Sequence, residues 1–356
     1  MSRKKSAGNL KSLAAGLILT LVTLGAGLYG VEGMDAGRLF SGLVSPLCRI
    51  LIFVAVGLVA AHAIETTRWT EKLGYLSYPM FRYANLGSYC SAAFTAAFFS
   101  GISANAMLFG FYRERRITKK QLFLSNFINQ FPAYFLHLPV TFFIVTSLTR
   151  WAGVVYFILT FSATLLRTVL FVLFGHFFVN PQADADTVKS ENSDNLMPEQ
   201  SVRKSKKSFL QGVQKKLPAQ FMRVATYVIP IYTMVYVLTA AGAFGMVEGM
   251  MGRFAAKTLI PVKSLSVVVL SFFAEFTAGF AAAGAMLDAG TLTMKQTVIA
   301  LLLGNIIAFP IRAIRHQLPR YMGIFSPGMG LQMLLMGQGF RIASLMLIGG
   351  IYWYVG

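Results

Sequence analysis

Long apolar runs dominate the chain, and their lengths and interruptions predict helices that cross or dip into a membrane. The apolar stretches are about 12–30, 45–64, 88–111, 121–148, 152–178, 217–243, 262–290, 294–318 and 328–355. A helix needs about 20 apolar residues to cross a bilayer, and these stretches are of that order. Residues 68–85 (RWTEKLGYLSYPMFRYAN) are too charged to span and predict an amphipathic helix at the interface. The stretch 246–260 (MVEGMMGRFAAKTLI) has a similar character in the second half. The polar, lysine-rich residues 180–216 predict a flexible linker between the halves.

The two halves carry related text. Residues 99–139 read FSGISANAMLFGFYRERRITKKQLFLSNFINQFPAYFLHLP, and residues 277–319 read TAGFAAAGAMLDAGTLTMKQTVIALLLGNIIAFPIRAIRHQLP. Both run from small and apolar residues through Met-Leu to Thr-x-Lys-Gln, then Asn, Phe-Pro, His and Leu-Pro. With a few insertions, Asn126, Pro132, His137 and Pro139 match Asn305, Pro310, His316 and Pro319. Paired apolar segments broken by Gly and Pro at matching places point to a transporter site.

Charge orients the spans. The basic start, MSRKKSAGNLK, precedes a long apolar stretch with no small-x-small cleavage site after it, which predicts a retained first span. Clusters at Arg3–Lys5, Arg113–Lys120 and in the 180–216 linker belong on the cytoplasmic side. That holds only if 88–111 turns back near Ser100–Ser103 as a re-entrant hairpin, and if 262–290 does the same near Ala278–Gly279. About 12 residues per arm reach roughly 18 Å, which is mid-membrane. In this arrangement 23 of the 32 Lys and Arg residues lie inside; Arg38, Arg150, Arg253, Lys257, Lys263 and Lys295 lie outside. The expected fold is therefore an all-α polytopic membrane protein. It has two inverted-topology repeats, each with a re-entrant hairpin and a broken transmembrane helix, plus an extra N-terminal span. The divisions are 1–44 for that span and its connection, 45–179 for the first repeat, 180–216 for the linker and 217–356 for the second repeat. The N-terminus falls in the cytoplasm and the C-terminus outside, in a prokaryotic inner membrane.

Composition agrees with a membrane protein: of 356 residues 56% are hydrophobic and 13% charged, and the mean hydropathy is +0.62. The net charge of +19 follows from the basic loops and implies no nucleic-acid partner. Cys48 and Cys90 sit in apolar runs and form neither a disulfide framework nor a metal motif.

The layout resembles the transport domain of concentrative nucleoside transporters and the wider nucleoside recognition, or Gate, family, which includes segments of ferrous-iron transporters. The residues that carry the resemblance are SGISANAMLFGFYRERRIT, SNFINQFP and HLP in the first half, and AGFAAAGAML, GNIIAFP and RHQLP in the second. It covers about 45–355. The resemblance implies a site built from hairpin tips and unwound helix segments, with an elevator-like or rocking movement. This chain departs from the nucleoside pattern in having no acid at the first tip, and from the iron pattern in having no tip cysteine.

The candidate substrate-binding residues follow from depth and polarity. Ser100, Ser103 and Asn105 stand at the first tip beside helix N-termini, which attract negative charge; alternatively, small residues there let the hairpin pack closely. The second tip offers Thr277. Asn126, Asn129, Gln130 and Asn305 are amides at a depth where unpaired polar groups are costly, so they bind substrate or clamp helices opened by Pro132 and Pro310. His137 and His316 follow the breaks. Arg312, Arg315 and His316 form a set that would grip a carboxylate or phosphate, or would mark the helix end at lipid headgroups. Glu275, an acid deep in an apolar run, is the candidate for coupling to H⁺ or Na⁺, or pairs with Arg341 or Arg167.

No catalytic set, phosphate loop or zinc motif is visible, so no enzyme, resident cofactor or metal site is expected. The expected function is secondary active transport of a small polar solute, anionic rather than cationic, or of a lipid headgroup. The alternatives are a non-transporting scaffold or accessory subunit, and a nucleoside or divalent-metal transporter. Membrane lipids and a second copy of the chain are the expected partners.

Overall fold

A computed structural model describes residues 2–31, 35–66, 77–180, 206–242 and 276–355. Glu275, the rest of the first arm of the second expected hairpin, the 246–260 stretch and most of 180–216 lie outside them. The described chain is 89% helix and contains no strand. By length and composition, four helical stretches suffice to cross a membrane: Ala36–Val59, Lys119–Phe178, Met294–His316 and Pro327–Val355. Ala14–Gly30 and Val224–Ala240 are shorter apolar helices.

The first half holds α1 (Ser2–Gly30), α2 (Ala36–Leu39) and α3 (Ser45–Thr66), with one wide turn at Phe40–Val44 between the last two. Next come α4 (Ser77–Tyr83), α5 (Gly87–Ala97), α6 (Gly101–Arg113), α7 (Lys119–Ile128) and α8 (Gln130–Phe178). Helices α5 and α6 pack against each other across a turn at Phe98–Ser100, and neither is long enough to span. In the second half are α9 (Lys206–Ala240), α10 (Phe276–Asp288), α11 (Met294–His316), α12 (Leu318–Ile324) and α13 (Pro327–Val355).

Helix α8 folds back on itself. Arg150 has φ 53° and ψ −132°, a conformation that reverses the chain without a loop. The limbs 130–149 and 151–178 then run antiparallel, pairing Phe142 with Phe157 and Phe135 with Phe161. The reversal is held from the second half. The Arg150 guanidinium lies 2.7 Å from Asp288 at the end of α10, and the Tyr232 hydroxyl donates to the same carboxylate at 2.8 Å. Close approach is possible because α10 is built from small residues. A Cβ on Gly284 would fall 2.2 Å from the Leu148 carbonyl oxygen.

One turn occurs twice, in the same detail. Helix α6 covers 101–113 and α10 covers 276–288, an offset of 175 residues. Each closes with a residue at positive φ, Arg115 at 57° and Gly290 at 66°. In each the next amide returns to the helix, Arg116 to Phe111 and Thr291 to Met286, both at 2.9 Å. Each following helix opens on a capping box, Thr118 with Gln121 and Thr293 with Gln296. At this offset the equivalent of Asn305 is Gln130, and Asn126 corresponds to Leu301. The expected match of Asn126 with Asn305 is thus displaced by four residues, about one helical turn, because the Phe-Pro pairs that guided it sit at different helical positions.

The helix breaks also differ from expectation. The first lies at Asn129, ahead of Pro132, which occupies the first turn of α8 where no amide hydrogen is required. The second was expected at Pro310, but α11 runs through Pro310 without interruption and breaks at Gln317, before Pro319. One lost hydrogen bond at Pro310 does not end a helix packed on both sides.

The two capped turns lie toward opposite ends of α13. Lys119 and Lys120 share a groove with Gln332, whereas the Lys295 ammonium sits 5.5 Å from the centre of the Trp353 ring. Gln332 and Trp353 are separated by about 31 Å along a helix of 1.5 Å rise per residue, close to the ~30 Å of a bilayer's hydrocarbon core.

Candidate functional site

Arg341 is the middle residue of α13, roughly 21 Å from either end at 1.5 Å per residue. Its Nη2 donates to Asn305 Oδ1 at 3.1 Å, and its guanidinium lies 3.4 Å from the centre of the Phe309 ring. The other end of the Asn305 amide donates a short hydrogen bond to the Tyr156 hydroxyl. Arg312, one turn beyond Phe309 on α11, lies over the same ring at 5.0 Å. Arg167, 7% exposed, donates to Ser344 Oγ at 3.1 Å, and Ser344 donates to the Arg341 carbonyl at 2.9 Å. Three arginines from α8, α11 and α13 therefore converge near the middle of α13.

The balance of charge there is unusual. Among the described residues neither Arg167 nor Arg341 forms an ion pair; their partners are an amide, a hydroxyl and a ring. An intramembrane cation is costly unless paired or set in a wet cavity. A planar carboxylate or phosphate matches the donor geometry of two guanidinium forks.

A second polar group lies at the break before α8. Asn126 Nδ2 donates to Asn105 Oδ1 at 2.8 Å, and the Tyr321 phenol lies beside both amides. Asn129 is buried, and neither of its amide atoms has a partner among the described residues. Gln130 reaches α13, where a Cβ on Gly337 would fall 2.9 Å from its Nε2. Gln338 Nε2 contacts Gln317 Oε1 at 3.4 Å. Gln338, Arg341 and Ser344, at i, i+3 and i+6, lie on one face of α13 and connect the amide and arginine groups.

The remaining expected residues are more dispersed. Ser100 caps α6, accepting from the Ser103 amide at 3.2 Å, and the Ser103 side chain is exposed. Thr277 is buried in the first turn of α10. His137 is exposed on the first limb of α8, and Arg315 and His316 are exposed at the end of α11. Arg312 is thus grouped with Arg341 across Phe309 and not with its own neighbours. Arg167, Arg341 and Tyr156 were not among the expected binding residues. The first two enter the sequence reading only as candidate partners of Glu275, and the three-residue spacing of Gln338, Arg341 and Ser344 on α13 is the signal available. Among the described residues no three His, Cys, Asp or Glu side chains group closely enough to hold a metal.

No family model matches the chain, and no solved structure matches it significantly. Three uncharacterised proteins of Methanocaldococcus jannaschii are similar to it. One is 26% identical over 294 residues, covering 81% of this chain and 88% of its own. Another is 23% identical over 316 residues, covering 84% and 93%, and a third is 23% identical over 287 residues, covering 78% and 88%. In each the match takes in most of both chains, so the likeness extends beyond a single motif.

Proposed function

We propose that this chain is a secondary active transporter for a small polar anion or an anionic lipid headgroup, working by alternating access between two inverted halves of the Gate type. The observation that carries this reading is the pair Arg167 and Arg341, two cations at mid-depth whose described partners are all neutral. A bound anion would supply a counter-charge that the described residues do not. The inverted arrangement is supported by the repeated capped turn, whose two copies lie about one hydrocarbon thickness apart along α13. Helices α6 and α10 start roughly 20 Å from those turns by helical rise, which suits re-entrant arms. The basic turn at Arg113–Lys120 takes the cytoplasmic side, in a prokaryotic inner membrane, with the C-terminus outside. Glu275 is assigned the coupling proton or Na⁺ in this scheme.

A non-transporting scaffold is the second reading. It is favoured by the rings of Phe127, Phe171 and Phe340, whose centroids lie 5.0–5.8 Å apart beside the polar groups.

Uptake into proteoliposomes of labelled phosphate, organic acids and nucleotides tests the choice. A transporter takes up at least one anion, and Arg341→Gln lowers that uptake by about ten- to a hundredfold, as expected for losing a ~1.5–3 kcal/mol hydrogen bond to a charged group. Absence of uptake for every anion, with wild type and variant alike, would give the scaffold reading precedence.

A further inference from the structure

A groove of about 700 Å³ opens between α7, the second limb of α8 and α13. Its walls are Leu166, Leu170, Phe174, Met336, Phe340 and Leu347, most of them exposed to the surroundings of the helices. At one end stand Lys119 and Lys120, in the first turn of α7. Lys119 is held over the groove's aromatic wall, with its ammonium 5.6 Å from the centre of the Phe123 ring. At the other end the lining includes Arg167 and Ser344, which belong to the arginine site. The groove is therefore an apolar trough with Lys119 and Lys120 at one end and Arg167 and Ser344 in its lining at the other.

We propose that the anion bound at the arginine site carries a single long hydrocarbon chain, and that this groove holds the chain. The inference rests on the anion reading above and names its substrate class. What sets this groove apart from other apolar surface is the basic pair at one end and Arg167 in its lining at the other. A hydrocarbon chain gains dispersion contacts with the apolar side chains of the walls while its head supplies Arg167 with a counter-charge that no described residue provides. The lysine pair sits where a helix N-terminus already favours anions, so the head is captured at the surface and the ligand enters sideways. Lateral loading also avoids carrying the chain through water, at a cost of about 0.8 kcal/mol per methylene.

The probes are dodecyl phosphate, which has head and chain, and inorganic phosphate, which has the head alone. Binding of each is measured by titration calorimetry on the full chain in dodecyl maltoside micelles, whose chain is the same but uncharged. Two variants accompany the wild type. Ala343→Trp fills the groove from an exposed position on α13, and Arg167→Gln removes the inner cation. The expected result is dodecyl phosphate binding tighter than phosphate by on the order of tenfold or more. Ala343→Trp abolishes that advantage and leaves phosphate binding unchanged, while Arg167→Gln weakens both ligands. Equal binding of the two ligands, or an advantage that survives Ala343→Trp, overturns the chain-holding groove and leaves the anion reading standing. Binding of neither ligand overturns both.

Discussion

The Asn305 amide uses its oxygen and its nitrogen in opposite ways. Its oxygen accepts from Arg341 and its nitrogen donates to Tyr156, so one neutral side chain orients a cation without neutralising it. A carboxylate in that place would do both. Asn305→Asp is therefore expected to stabilise the protein, because Tyr156 can donate to the new oxygen and Arg341 gains an ion pair. The melting temperature should rise by about 2–4 °C for each kcal/mol gained. The same substitution should abolish the thermal shift produced by a bound anion, since the protein would then carry its own counter-ion. Thermal unfolding with and without phosphate checks both outcomes; a lower melting point with the phosphate shift intact would contradict this view of Arg341.

At the scale of elements, the contact between α10 and the end of the first α8 limb is set by one missing methyl group. Gly284→Ala drives a Cβ against the Leu148 carbonyl, which cannot swing aside as a side-chain tip would. A loss of about 1–3 kcal/mol is expected, read as a lower melting temperature. Gly110→Ala is the control: a Cβ there meets nothing within 4 Å. It should be neutral or gain about 0.5–1 kcal/mol from reduced backbone freedom.

The sequence was most legible where a rule acts over a few residues. Apolar length picked out the four helical stretches long enough to cross a membrane, and the small residues at Ser100–Ser103 pointed to a turn that the structure places at Phe98–Ser100. It was least legible where prolines were read without their helical position. Pro132 falls in a first turn, whereas Pro310 lies inside a helix that continues, and the letters Phe-Pro are the same in both. The arginine site was hidden for another reason. Arg167 and Ser344 stand 177 positions apart, and no local pattern reports that α8 and α13 bring them into contact.

At the scale of the molecule, the repeated turn makes a claim about sidedness. If its two copies face opposite sides of the membrane, cysteines placed at equivalent positions must be reachable from opposite sides. Lys120 and Lys295 are such a pair, separated by the 175-residue offset. In a background with Cys48 and Cys90 replaced by serine, an impermeant maleimide added to intact cells should label Lys295→Cys. Lys120→Cys should react only after the membrane is opened. Labelling of both from one side would remove the inverted arrangement.

The reversal at Arg150 bears on how such a molecule can move at all. A non-glycine residue in that conformation costs about 1–3 kcal/mol, and the strain is held between Asp288 and a turn with no slack. With no linker between them, the two limbs of α8 have no independent freedom, so kinematically they form a single link. The chain has other joints, at Asn129 and at Gln317, where helices meet end to end and a rotation of a few backbone angles swings everything beyond. Both joints meet α13 just ahead of Arg341, through Gln130 beside Gly337 and Gln317 beside Gln338. A mechanism made of rigid links and two pivots has few trajectories open to it, and rotation at either pivot would shift Asn129 or Gln317 relative to Arg341.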